Sequence, residues 1–279
     1  MNKINALKTL YENKGTLIAT HRGMVCGNIP HNTFPAFDVA LNHGTDIIET
    51  DVTMAGDGEL FIFHPRQEVN QLKLDVHINE MTAAEVRALR YVNDCRAATE
   101  WGIPTLDEFL ERYKGRCLIN LDHGWDFFPE MIQKVRAHKM EDQILLKAPA
   151  TKPETFKIIE QIAPDMMFMP IIKEETMEAA AQLEQMDINY VAAELVFPTE
   201  DSPLLAADYI ESHLEAGRLL WVNTILYNCQ KPLSGGHTDD VAVMGNPDYG
   251  WGWNIDKGFH ILQTDWTMAL KQYLDTRQA

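Results

Sequence analysis

The sequence predicts a TIM-type (β/α)8 barrel with an extra hairpin strand and loop insertions at its C-terminal face, and three observations carry that expectation. Short apolar runs of β type alternate with helical patterns along the chain, as repeated βαβ units and a parallel sheet require. The length, 279 residues, is usual for one such barrel and is enough to bury a large core. The strand candidates number one more than a barrel needs, and a tight turn accounts for the surplus.

The first segment, MNKINALKTLYENKG, sets Ile4, Leu7, Leu10 and Tyr11 at amphipathic helical spacing and lacks the apolar centre of a signal peptide. Strand candidates follow at Thr16 to Thr20, Asp46 to Met54 and Glu59 to Phe63. Between the last two, Ala55-Gly56-Asp57-Gly58 is too short for a helical crossover, so they form an antiparallel hairpin and one of them is the extra strand. If Met54 faces Glu59, His64 lies directly opposite Glu49 on the same face. Helices fill the remaining gaps, and Thr82 with Glu85 and Thr105 with Glu108 read as capping boxes. Beyond these the strands are Cys117 to Leu121, Gln143 to Lys147, Met166 to Ile172, Asn189 to Val196, Arg218 to Thr224 and His260 to Thr264. The long interruptions, 65–102 and 225–258, read as loops that shape a substrate pocket within a single domain spanning 1–279.

Charge narrows the partners. With 24 Lys and Arg against 41 Asp and Glu, the net charge of −17 repels nucleic acid and anionic membrane surfaces, and no segment is apolar enough to span a membrane. A small phosphate ester remains admissible where a bound cation reverses the local field. Cys26, Cys95, Cys117 and Cys229 form no CxxC pair, which leaves reduced thiols as the plain reading. A cytoplasmic protein is expected, although a mature exported form would show the same residues.

Candidate chemistry begins at the first strand, LIATHRG, which sets His21 and Arg22 at the C-terminal edge where barrel enzymes place their sites. An imidazole there serves as acid or base, and the guanidinium can clamp two phosphate oxygens. In DIIETDVTM, Glu49 and Asp51 stand two apart and share a strand face, an arrangement that repels itself unless a cation or protons intervene. A hard divalent metal, calcium or magnesium, is the economical partner, with a solvated edge face as the plain alternative. Asp122, closing CLINLD, supplies a third acid ligand unless it merely caps the next helix. Lys147, ending ILLK, suits a phosphate oxygen, with a snorkelling surface lysine as its alternative. His237, Asp239, Asp240, Trp251 and Trp253 fall in loops near the last strands, where the tryptophans either stack on a sugar or inositol or anchor the loop.

These residues together resemble the glycerophosphodiester phosphodiesterase family. The likeness rests on His21-Arg22-Gly23, Pro30-His31-Asn32-Thr33 leading into Ala36 and Phe37, Glu49-Thr50-Asp51, Asp57-Gly58 and His64, and more loosely on Asp122, Trp221-Val222-Asn223 and Thr264-Asp265. Departures are His31 where the family commonly has Glu, Pro65 where it has Asp after its second histidine, and Asp122 where Glu is frequent. The resemblance implies metal-dependent cleavage of a small-molecule glycerophosphodiester to glycerol 3-phosphate and an alcohol. His21 and His64 would be acid and base, Arg22 and Lys147 would bind phosphate, Trp221 and Asn223 would bind substrate, and Glu49, Asp51 and Asp122 would hold calcium or magnesium. A related barrel phosphodiesterase that stops at a cyclic phosphate, or a noncatalytic phosphate- or sugar-binding barrel, are the alternatives.

Overall fold

The computed structural model describes residues 5–226 and 232–278. Ile4 and Cys229 lie outside them, and Cys26, Cys95 and Cys117 are free thiols. Among the described residues there are nine strands: β1 (Leu17–His21), β2 (Ile47–Met54), β3 (Leu60–Ile62), β4 (Leu118–Asp122), β5 (Ile144–Pro149), β6 (Met167–Ile172), β7 (Ala192–Leu195), β8 (Leu219–Asn223) and β9 (Ile261–Thr264). Eight are parallel and close into a barrel, because β1 pairs with β2 on one side and with β9 on the other. β3 stands outside it, antiparallel to β2. The extra hairpin strand is therefore β3, and the helices lie between the parallel strands as expected.

The hairpin register differs from expectation by one residue. Met54 pairs with Leu60 and Val52 with Ile62, not Met54 with Glu59. The turn has three residues rather than four: Ala55 donates to Glu59 O, Gly58 N donates to Ala55 O, and Gly58 takes φ +93°. A positive φ at the last turn position is the conformation such loops need, and glycine adopts it without strain. Strict alternation from this register would turn His64 away from Glu49. The chain leaves the ladder only after Phe63, whose N–H still donates to Asp51 O, and His64 then comes beside Asp51 by a loop path instead.

Alternation along β2 divides the molecule into layers. Ile48 and Val52 face outward into the main core, against Phe37, Phe109, Leu121 and Phe128. Ile47 faces inward, into the barrel interior with Leu17, Ala19, Leu145, Met169 and Trp221. Glu49 and Asp51 share that inward face one layer nearer the C-terminal mouth. The first helix, Ala6–Lys14, packs Leu7, Leu10 and Tyr11 against the interior cluster and closes the opposite mouth.

Both expected capping boxes form, at Thr82 with Glu85 and at Thr105 with Glu108. The 65–102 insertion builds a satellite core in which Leu72, Ile78, Val86 and Tyr91 pack on Phe61 and Phe63. In the described part of the later insertion, Trp251 is buried and Trp253 stacks on His237 at 3.7 Å. The two tryptophans are thus loop anchors, which sets aside the expectation of a sugar-stacking wall there. Among the described residues no helix is long and apolar enough to cross a membrane.

Candidate active site

The C-terminal ends of β1, β2 and β4 bring together residues far apart in sequence. Parallel pairing sets His21 level with Glu49, and Asp51 level with Asp122. At the end of β1 the chain reverses through two left-handed residues, Arg22 at φ +56° and Gly23 at φ +81°. A Cβ on Gly23 would stand 2.7 Å from the backbone of Ala36, so only glycine lets the helix Phe34–Asn42 approach this closely. The Arg22 side chain is thereby turned back into the barrel, where its Nε lies 2.9 Å from Asp51 Oδ2. Arg22 N donates to the Glu49 carboxylate at 3.2 Å.

Ligand oxygens of Glu49, Asp51 and Asp122 lie within 4.8 Å of one another. Burial, followed by repulsion from Asp51, pushes the Glu49 carboxyl well above the ordinary range. Burial acts on Asp51 too, but Arg22, His64, His123 and the amide of Asn32 outweigh it and hold that carboxyl well below the ordinary range. Asn32 donates to Asp51 at 2.9 Å while accepting from Thr50, which locks the carboxylate's orientation. Asp51 Oδ1 is left buried with no hydrogen-bond partner among the described residues. A buried carboxylate oxygen with nothing to accept from, facing two further carboxylates, fits a divalent cation. The residues of the expected metal trio are therefore brought together.

Two histidines flank the trio with their tautomers set by their partners. His21 Nδ1 is 2.8 Å from Asp265 Oδ1, which makes Nδ1 the donor and Nε2 the atom that exchanges protons. His64 Nδ1 donates to Pro65 O at 2.8 Å, with the same effect on its Nε2. Burial is the main force on His64, lowering its pKa to about 4 and keeping the ring neutral near pH 7.

Asp265 is itself held from below. Its backbone N–H donates to Asp239 Oδ2 at 2.8 Å. The other Asp239 oxygen accepts from Thr224, Trp251 and Thr264. Burial raises this Asp239 carboxyl to about 6.

Lys147 is no surface lysine. It is 1% exposed, with Nζ 2.7 Å from Asp122 and 3.2 Å from Glu194, and it lies over the Trp221 ring. Its amine, penalised first by burial, is nevertheless pushed above the ordinary range by Asp122 and Glu194. Asn223 donates to Glu194 at 2.8 Å, and Trp221 donates to Asn223 and to Gln263. Trp221 is fully buried in this interior network, so it supports Asn223 from beneath and does not present its ring at the mouth.

Sequence reasoning did not assign Glu194, Asn32 or His123. Glu194 carried a readable signal, a lone acid inside an apolar strand. His123 follows Asp122 with φ +56° and packs edge-on against His64 at 4.4 Å. With Asp51 and His64 it makes a second group of ligand atoms within 4.8 Å, offering two nitrogens and one oxygen.

A family model described as a domain of unknown function matches residues 168–274. A glycerophosphodiester phosphodiesterase of Bacillus altitudinis is 30% identical over 145 residues, 48% of this chain and 58% of that protein. The chain thus matches a little over half the length of that curated relative. One of Bacillus subtilis is 25% identical over 63% of this chain and 67% of that protein. A glycerophosphoryl diester phosphodiesterase from Parabacteroides distasonis superposes with a TM-score of 0.76 at 17% identity, covering 99% of this chain and 93% of that one. A phosphodiesterase from Oleispira antarctica, solved with the product sn-glycerol-3-phosphate, superposes at 0.68 and 17% identity over 95% and 99%. The chain is related in sequence to glycerophosphodiester phosphodiesterases and shares the barrel of their solved structures.

Proposed function

We propose that this relative of the glycerophosphodiester phosphodiesterases hydrolyses a small water-soluble glycerophosphodiester to glycerol 3-phosphate and an alcohol. The observation that carries the proposal is the convergence of Glu49, Asp51 and Asp122 oxygens within 4.8 Å, flanked by His21 and His64. The likeness to proteins of that name, including one solved with glycerol 3-phosphate, supports it.

Glu49, Asp51 and Asp122 would hold a calcium or magnesium ion, which when bound supplies positive charge to the phosphoryl oxygens and aligns the diester. Arg22 and Lys147 add fixed positive charge on either side, with Lys147 shared between Asp122 and the substrate. One imidazole takes the proton of the attacking glycerol hydroxyl at Nε2 and the other gives a proton to the departing alkoxide, after which water opens the cyclic phosphate to glycerol 3-phosphate. His64, kept neutral by burial, suits the base, which leaves the acid role to His21. Asn223 faces the mouth above Trp221 and would contact the substrate. We read residues 1–279 as one barrel unit acting in the cytoplasm on a small molecule, without nucleic acid or stable membrane insertion, in keeping with the net charge of −17.

The test is hydrolysis of glycerophosphodiesters by the purified chain, EDTA-treated and then resupplied with calcium, magnesium, manganese or zinc, beside His21→Ala and Glu49→Ala. Metal-dependent release of glycerol 3-phosphate, lost in both variants, is the expected result. Folded wild type that cleaves no diester with any of the metals would overturn the reading. A zinc requirement would indicate the Asp51, His64 and His123 set instead of the carboxylate trio.

A further inference from the structure

His123 brings a second imidazole beside His64, and with it a ligand set of a different chemical character from the carboxylate trio. We propose that Asp51, His64 and His123 form a site for a divalent ion of the zinc class, and that an ion seated there excludes the hard metal and shuts hydrolysis off. The inhibition rests on the phosphodiesterase reading, whereas the ion site stands on its ligands alone.

The donor set suits zinc. One ligand atom from each of Asp51, His64 and His123 lies within 4.8 Å of the other two, which gives two imidazole nitrogens and one carboxylate oxygen. Two histidines and a carboxylate, with water in the fourth position, are a common zinc arrangement. Calcium and magnesium favour oxygen ligands, whereas imidazole suits zinc and its neighbours in the first transition row. Bonds of about 2.0 Å to a tetrahedral ion set adjacent ligand atoms about 3.3 Å apart. His123 Nε2 and Asp51 Oδ1 face each other at 3.9 Å, and a small turn of the partly exposed His123 ring closes the difference.

The ligands are already oriented. His64 Nδ1 donates to Pro65 O at 2.8 Å, which leaves Nε2 as the lone-pair nitrogen. A carbonyl behind the ring in this way is the usual support of a metal-ligating histidine. His123 takes a left-handed conformation at φ +56°, uncommon outside glycine, and its ring meets that of His64 edge-on at 4.4 Å. Arg22 and Asn32 occupy Asp51 Oδ2, while Oδ1 is buried with no hydrogen-bond partner among the described residues.

Competition follows from that single oxygen, since Asp51 belongs to both ligand groups and Oδ1 is what it has left to give. Charge points the same way. Glu49, Asp51, Asp122 and Glu194 face Arg22 and Lys147, an excess of two negative charges that one divalent ion neutralises. Asp122 is also engaged already, by Lys147 at 2.7 Å and by the His123 N–H at 2.7 Å. A hard ion on the carboxylates leaves His64 Nε2 able to take a proton. A zinc-class ion on the histidines occupies that same lone pair, and the reaction loses its base.

The first measurement is metal binding, which needs no turnover. Zinc is titrated calorimetrically into metal-stripped wild type, His123→Ala and Glu49→Gln, and cobalt(II) is followed by its visible absorption, with circular dichroism to confirm folding. His123→Ala should weaken zinc at least about 10- to 100-fold and remove the strong absorption of nitrogen-ligated tetrahedral cobalt, whereas Glu49→Gln should change neither appreciably. Absence of zinc binding, or binding that depends on Glu49 and not on His123, overturns the site. The second measurement adds zinc to calcium- or magnesium-supported hydrolysis of whichever glycerophosphodiester is cleaved, each protein scored against its own zinc-free rate. Zinc should inhibit wild type, and His123→Ala should need more zinc by the same factor. Zinc that binds through His123 yet leaves hydrolysis running, or supports it, overturns the inhibition. Failure of the wild type to cleave any diester retires the phosphodiesterase reading and the inhibition with it, and the binding titration still decides the site.

Discussion

Replacing Lys147 with methionine tests how the barrel interior balances its charge. Four buried or nearly buried carboxylates, Glu49, Asp51, Asp122 and Glu194, face two cations, Arg22 and Lys147. Methionine keeps the length of the side chain and removes the charge. With an effective dielectric of about 20, the Lys147 contacts at 2.7 Å to Asp122 and 3.2 Å to Glu194 represent gross attractions of about 6 and about 5 kcal/mol. Much of that is offset by the lysine's own desolvation, and removing one member of a buried pair typically costs a net of about 3–5 kcal/mol. For a chain of this size that corresponds to a fall in Tm of roughly 10 °C. The deficit has a pH signature. Without Lys147 the Asp122 carboxyl loses a cation that holds it below the ordinary range and the Glu49 carboxyl, already raised, rises further, and stability held by a raised carboxyl is complete below the unfolded pKa and lost as pH increases. The difference between Lys147→Met and wild type should therefore widen from about pH 4 to pH 8. A divalent cation should close part of the gap by neutralising the same carboxylates. The assay is urea and thermal unfolding in EDTA across that pH range, repeated with calcium. Equal stability of the two proteins in EDTA at pH 8 would refute the charge balance described here.

Three further outcomes follow from particular contacts. Gly23→Ala should cost about 2–4 kcal/mol in urea unfolding, because the added methyl meets the Ala36 backbone at 2.7 Å while φ stays at +81°; a midpoint equal to wild type would mean the turn relaxes freely. Asp265→Asn should lower kcat about 10²- to 10⁴-fold with folding intact, since an amide no longer fixes the His21 tautomer. An unchanged kcat would remove Asp265 from the mechanism. Buried His213 and half-buried His260, lowered from 6.5 to about 4 chiefly by desolvation, hold stability that is present above the unfolded value and lost as pH falls through the folded one. Urea midpoints should decline over that window, and His213→Phe should flatten part of the decline.

The barrel was legible because its signal is repeated: each strand is an apolar run bounded by polar turns, and closure follows from the number of parallel strands. The carboxylate trio and His21 were legible for a local reason, since a strand of period two sends Glu49 and Asp51 to one face whatever the rest does. His64 was placed in the right neighbourhood by a register that was one residue off. Turn length depends on the φ of a single glycine, which spacing alone does not reveal, and the departure of the chain from the ladder after Phe63 restored the approach. Glu194, Asn32 and Asp239 act through partners separated from them by many residues. A buried acid announces that it has a partner but not which one, so the Glu194 link to Lys147 and Asn223 and the Asp239 link to Asp265 needed coordinates. The role of Trp221 was misjudged because its indole N–H is consumed inside the barrel.

The helix Ala6–Lys14 stoppers the barrel at the end away from the site, with Leu7, Leu10 and Tyr11 driven against its lining. The chamber at the C-terminal mouth is consequently a cul-de-sac: whatever enters between the C-terminal loops departs by the same doorway. On the proposed reading, product would have to leave past the rim built by 65–102 before the next diester could enter, so substitutions on that rim would be expected to alter turnover without touching the acid/base pair.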